Sequence, residues 1–322
     1  MRICWLKLPD ASLELVFYRQ ILKSKERNMK KLVLGIALVA MVLVALPVHA
    51  QHNPESDFQV TRTADLRGVI ITGFTGTGTV VNIPPQIRGL PVVEIGREAF
   101  GISFVDEARG RRGNLTNITI PDTVTVIGAR AFNRNQLTSV TIGSGVTRIG
   151  IYAFSQNQLV SVVIPNSVTY IERSAFSRNQ LTSVTIGSGV TRIGISAFSQ
   201  NQLVSVTFPS GVIYIGMDAF SRNQLTNVTF PNGVIEIGVS AFQQNQLASV
   251  TIPSSVRRIG YWAFYLNPLI NITIGSNVEL GWCCCRTTGR TSFTINFHAV
   301  YNQSNRRAGT YVRRGNTWVE EW

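Results

Sequence analysis

The sequence predicts a repeat solenoid. Short parallel β strands stack one turn upon the next, joined by short helical or 3-10 turns and closed by β-rich caps at both ends. Three observations carry this expectation. A 22-residue unit recurs, beginning LTSVTIGSGVTRIGIYAFSQNQ at Leu137, and residues 181–202 repeat it with Ser196 in place of Tyr152. Phe132, Phe154, Phe176, Phe198, Phe220, Phe242 and Phe264 keep that 22-residue spacing without a slip, as do Leu115 to Leu269 and Asn135 to Asn267. A unit of this size cannot offset the entropy of ordering its own backbone, so it must stack to bury its apolar side.

Residues 1–50 stand outside the fold. Met29-Lys30-Lys31 precedes an apolar run, Leu32 to Leu46, and a Val48-x-Ala50 ending. That order is a secretory signal peptide over 29–50, cut after Ala50. The run is short for a membrane-spanning helix, so no stable span is expected after cleavage. Gln51 follows rather than Cys, which removes a lipoprotein site. Residues 1–28 sit oddly before a complete signal. They read as an overcalled start ahead of Met29, with an extended n-region as the rival. The whole chain carries +13, but the first fifty residues hold eight Lys/Arg and three Asp/Glu, so +8 remains. Every basic residue after Lys31 is Arg. Such basicity suits an anionic surface or polysaccharide, or merely keeps a polar solenoid soluble. Charged residues are only 15% and hydrophobic residues 44%, which excludes a disordered chain.

Residues 51–79 alternate Thr with Val and Ile between glycines, the pattern of an N-terminal β cap. Gly73, Gly76 and Gly78 are turn glycines, because no Lys-Ser/Thr and no helix follows them. Residues 80–114 form an irregular first repeat. Five extra residues separate Ile83 from Phe100, and ten more intervene before Leu115. That insertion holds Arg109, Arg111 and Arg112 beside Asp106 and Glu107, and is expected to be an exposed loop.

Residues 115–268 are seven full repeats. Within one, Leu137, Val140 and Ile142 point one way along an extended segment. Gly143, or Pro at the equivalent Pro121, Pro165, Pro209, Pro231 and Pro253, stops the strand. Val146-x-x-Ile149-Gly150 turns back, Ala153-Phe154 enters a short turn, and Ser155-Gln156-Asn157-Gln158 is a polar turn into the next strand. Each Phe is expected to be sandwiched between its neighbours. Asn135, Asn157, Asn179, Asn201, Asn223 and Asn245 form a structural ladder, since a side-chain amide can bond backbone groups of its own and the neighbouring turn.

The consensus LxSVxIPxxVxxIGxxAFxxN resembles the BspA-type, or treponemal-type, class of bacterial leucine-rich repeats over roughly residues 78–280. It departs from the commoner leucine-rich pattern, whose Asn falls on Gly145. It departs from many BspA-type units as well, which carry Cys where this chain has Asn157. The resemblance implies an exported, surface-exposed protein that adheres to host or neighbouring-cell macromolecules.

Outward strand positions should carry any contact. Thr119, Thr141, Thr185, Thr207, Thr229 and Thr251, with Ser139, Ser183 and Ser205, make an uncharged sheet of hydroxyls suited to peptide backbones or sugars. They are also ordinary exposed-strand residues. A basic turn row, Arg134, Arg178 and Arg222, alternates with Gln156, Gln200 and Gln244, the signature of a duplicated 44-residue pair. Specificity is expected where copies differ, at Tyr152, Tyr170 and Tyr214, or at the irregular ends.

Residues 269–290 are a degenerate last repeat that breaks at Cys283-Cys284-Cys285. Three adjacent thiols cannot all pair within the chain, so one stays free or bonds another molecule. They offer poor tetrahedral geometry for zinc. Residues 291–322 are a C-terminal cap in which Trp318 and Trp322 seal the last turn. After residue 50 the only histidines are His52 and His298, and acidic residues do not recur in pairs. Neither a Ser–His nucleophile nor a glycosidase dyad is supported. The sequence therefore predicts no enzyme and no cofactor. It predicts a secreted or cell-surface solenoid binding a protein, extracellular-matrix or cell-surface ligand, with a glycan as the second ligand class and no nucleic acid. A periplasmic or envelope structural protein is the alternative.

Overall fold

The computed structural model describes residues 51–102, 113–281, 297–315 and 317–321. The signal-like segment, the Arg109–Arg112 loop, the Cys283–Cys285 run and Trp322 lie outside the described residues. Among the described residues nine turns follow one another, and each full turn has three sides.

The first side is the L-x-x-V-x-I segment. Its strands, such as Ser139–Thr141, Ser183–Thr185 and Ser205–Thr207, pair in parallel with a 22-residue register, Ser205 opposite Asn227 and Thr207 opposite Thr229. Alternation sends Val206 and Phe208 inward and Ser205 and Thr207 to solvent.

The second side is the segment the sequence reads as merely turning back. Here two-residue strands, from Val126–Ile127 through Arg148–Ile149 and Tyr170–Ile171 to Glu279–Leu280, extend a sheet of twelve strands. It is the most continuous sheet among the described residues, whereas the first-side strands pair in shorter groups. Close stacking explains the Gly that ends this segment. A Cβ on Gly216 would stand 2.8 Å from the Gly194 carbonyl carbon and 2.8 Å from the Ile193 oxygen, a contact that forces the neighbouring backbone to shift.

The third side closes the turn without regular structure. Ala153 N–H bonds Gly150 O at 3.1 Å and Ser155 N–H bonds Tyr152 O at 3.2 Å, the i to i+3 pattern of a 3-10 turn. Tyr152 at φ 58° and Gln156 at φ 60° stop that turn from becoming a helix. The same two left-handed positions recur in each repeat, for example Ser196 and Gln200, or Asp218 and Arg222. A left-handed L-residue costs roughly 1–2 kcal/mol. Bonds to the next turn hold it there: the N–H groups of Tyr152, Phe154 and Gln156 reach the carbonyls of Arg173, Ala175 and Ser177 at 2.9, 2.8 and 3.0 Å.

Inside, the Phe rings form one spine. From Phe100 to Phe264 successive centroids are 5.0 to 5.6 Å apart, with planes within 22° of parallel. Phe208 and Phe230 meet this spine edge-on at 5.4 Å. Such ring pairs add roughly 0.5–1.5 kcal/mol beyond area burial. Beside the spine runs the Asn ladder. Asn157 Nδ2 donates to Phe132 O of the previous turn (2.9 Å) and Phe154 O of its own (3.1 Å), and its Oδ1 accepts from Leu137 N–H (3.0 Å). Asn179, Asn201, Asn223, Asn245 and Asn267 repeat this triad. The polar turn is thus half interior: Ser155 and Asn157 are buried, and Gln158 is exposed.

Both ends are capped. At the N-terminal end Phe58–Arg62 and Val69–Phe74 pair antiparallel, and the rings of Phe58 and Phe74 cover Phe100 at 6.3 and 5.4 Å. At the C-terminal end a helix, Phe297–Gln303, accompanies the antiparallel pair Gly309–Arg314 and Thr317–Glu321, which docks on Asn271–Ile274. This cap is less purely β than the strand-rich tail predicts. Tyr301 Oη donates to Gly275 O at 2.7 Å and accepts from Val278 N–H at 3.0 Å, and Trp318 is buried against Phe297.

Candidate functional site

Two surfaces carry the residues singled out by the sequence. The first is the outer face of the L-x-x-V-x-I strands. Thr141, Thr185, Thr207, Thr229, Thr251, Ser139, Ser183 and Ser205 all lie exposed on it, and Thr119 is half-buried at its N-terminal end. Thr116 and Thr138 to Thr226 line its leading edge, broken by Val160 and Val204, each nearly half exposed. Val163 interrupts the Thr row with 64% of its surface in water. From Thr116 to Thr251 no outward position of these strands carries a charge. The rows stand one turn apart in register, so hydroxyls repeat along the face at about 4.8 Å, the spacing of paired strands.

The second surface lies on the third side, and the left-handed backbone builds it. Tyr152, Ser174, Ser196 and Asp218 form one wall, and Arg134, Gln156, Arg178, Gln200 and Arg222 the other. Between them runs a floor of Ser155, Ser177, Ser199 and Ser221. Its first stretch encloses about 300 Å³, and the next, continuous through Ser196, Ser199 and Gln200, about 220 Å³. The floor is knitted together: Ser155 and Ser177 hydroxyls are 2.9 Å apart, as are those of Ser199 and Ser221. Arg222 Nε donates to Gln244 Oε1 at 2.9 Å, tying adjacent turns of one wall. Arg130 stands at the N-terminal mouth, its guanidinium 5.6 Å from the Tyr152 ring centroid. At the other end burial raises the Asp218 carboxyl from its ordinary value, opposed by its Ser221 hydrogen bond and the Arg222 charge.

The predicted basic row therefore lines a groove, and Tyr152 joins it. Tyr170 and Tyr214 lie elsewhere, on the second side, where Arg192 stacks over Tyr214 at 5.6 Å. Sequence reasoning missed the serine floor, because A-F-S reads as the start of a polar turn. Its signal was the recurrence of Ser one residue after the spine Phe. It also missed Glu172, which replaces the stacking Gly and bonds Arg148 at 2.5 Å. Among the described residues no group of His, Cys, Asp and Glu is placed to hold a metal, and no helix is long and apolar enough to cross a membrane.

A family model described as the BspA type leucine rich repeat region matches residues 109–223 and 191–305, in six copies. Among solved structures, a leucine-rich repeat protein from Bacteroides ovatus is 25% identical over 70% of this chain, with a TM-score of 0.50. The match spans 66% of that protein's length. A leucine-rich repeat protein of T. pallidum is 25% identical over 72% of this chain and 86% of its own, with a TM-score of 0.35. A leucine-rich cell surface protein from Faecalibacterium prausnitzii is 20% identical over 80% of this chain and 97% of its own, at 0.40. No protein of curated function matches significantly.

Proposed function

The chain belongs to the BspA-type leucine-rich repeat family, and on that premise we propose that it is an exported, surface-exposed adhesion protein, without catalysis, that binds a protein ligand through its strand face. The observation that carries this reading is the absence of charge from the outward strand positions between Thr116 and Thr251. Cores of protein interfaces are depleted in charge. Val160, Val163 and Val204 add apolar contact area, and the Thr and Ser hydroxyls supply both donors and acceptors for a peptide backbone. A solenoid also presents these groups on backbone fixed by its neighbours, which lowers the entropy lost on binding. The signal-like segment at 29–50 supports export.

The test is binding of the full chain to an array of matrix and cell-surface proteins, with a salt titration. An uncharged face predicts binding that survives high salt. Thr185→Arg with Thr207→Arg places two charges at its centre and should abolish capture while leaving the fold intact. Capture unchanged by these substitutions would remove the strand face as the site. Protease treatment of intact cells tests the location, and a chain left undigested would favour the periplasm over the surface.

A further inference from the structure

We propose that the third-side groove is a second binding site, and that it takes a linear acidic polysaccharide with one carboxylate per disaccharide. The geometry sets the period. Arg134, Arg178 and Arg222 occupy alternate turns of one wall, so their charges recur at about 10 Å, twice the spacing of paired strands. That distance is the rise of one disaccharide along an extended β-linked chain. Gln156 and Gln200 fill the turns between, where the sugar between two carboxylates would offer only uncharged hydroxyl and amide groups.

The remaining chemistry fits a sugar better than a peptide or a nucleic acid. A nucleic-acid strand carries a phosphate at every nucleotide, a closer period than this wall offers. An acidic peptide would need apolar pockets for its other side chains, and the floor is a row of hydroxyls. The Tyr152 ring forms part of the opposite wall, with Arg130 stacked against it, and an aromatic face is a platform for the C–H face of a pyranose. The wall is also fixed before binding, because the hydrogen bonds that impose its left-handed backbone come from the next turn.

The strand face and the groove share no residue, so either can fail alone. The protein itself supplies the control substitution, since Gln occupies the Arg row in alternate turns. Full chain is titrated with hyaluronan, with dextran as the uncharged polysaccharide and poly-glutamate as the acidic peptide. Hyaluronan should bind and dextran should not. Arg178→Gln with Arg222→Gln should weaken hyaluronan binding at least about tenfold and flatten its salt dependence, with the melting temperature unchanged. Tyr152→Ser, which copies Ser196 of the next pair, should weaken binding severalfold without altering the salt slope. The proposal is overturned if hyaluronan does not bind, if the double variant binds it equally well, or if poly-glutamate binds as tightly.

Discussion

The buried Asn of each turn does two things no apolar residue could do. It satisfies the amide of the Leu that opens its own repeat, and it ties the carbonyl of its own Phe to that of the preceding turn. In Asn201 these bonds are 3.1 Å from Leu181 N–H, 3.0 Å to Phe176 O and 3.0 Å to Phe198 O. Asn201→Ala strands the Leu181 N–H, at about 1–3 kcal/mol when buried, and removes one of the two amide bonds that Phe176 O and Phe198 O each accept, about 0.5–1.5 kcal/mol apiece, leaving them those from Asn179 and Asn223. The expected result is a loss of roughly 3 kcal/mol or more in urea unfolding, with no effect on ligand capture, because Asn201 reaches neither surface. An unchanged melting temperature would show that water or a relaxed turn replaces the amide. The residue was visible in the sequence through its spacing alone. Its partners were not, because a 22-residue period says which residues align but not which atoms face one another.

Elements show where a repeat can bend its own rule. Among the described residues eight turns end their second-side strand with Gly, whose N–H reaches the preceding turn at 2.6 to 2.9 Å. Glu172 breaks that series. Its N–H stands 3.2 Å from Ile149 O, and the neighbouring Thr169 N–H stands 3.3 Å from Thr147 O against 2.9 to 3.0 Å for Thr147 and Thr191. The extra Cβ pries two turns apart, and the ion pair with Arg148 offsets part of the cost. Since the Glu172 side chain is only 9% exposed while that of Arg148 is 63% exposed, removing the carboxylate leaves no buried charge behind. Glu172→Gly should therefore raise stability by about 1 kcal/mol, read as a higher melting temperature. A lower one would mean that the ion pair outweighs the stretched ladder. The sequence displayed the substitution, I-E-R among the I-G pairs. It could not display the strain, which exists only because a neighbouring backbone passes within van der Waals distance. The second-side sheet was hidden for a related reason. Two-residue strands carry too little alternation to register, and they become a sheet only through stacking.

At the scale of the molecule, stability is the sum of turns and of the contacts between adjacent turns. The fold class was legible because that sum has a period, and because Leu, Val, Ile and Phe recur on it. The groove was legible only as a row of Arg, since its walls depend on left-handed residues that include Tyr, Gln, Arg and Ser rather than Gly. Periodicity also makes a sharp prediction about length. Residues 137–158 and 181–202 differ at one position, so excising residues 159–202 joins Gln158 to Leu203, the junction every repeat already makes. The Phe spine, the Asn ladder and both caps stay in register, and one Arg and one Gln leave the groove wall together. The shortened chain should fold and unfold cooperatively at a lower urea midpoint, having lost two turns and two interfaces. Excising residues 159–191 removes one and a half units and places a second-side strand where a first-side strand belongs. That chain should fail to fold. Equal stability of the two deletions would mean that the stacked register does not hold the molecule together. A folded 44-residue deletion that also loses hyaluronan while keeping its protein ligand would place the two surfaces on separate parts of the same array.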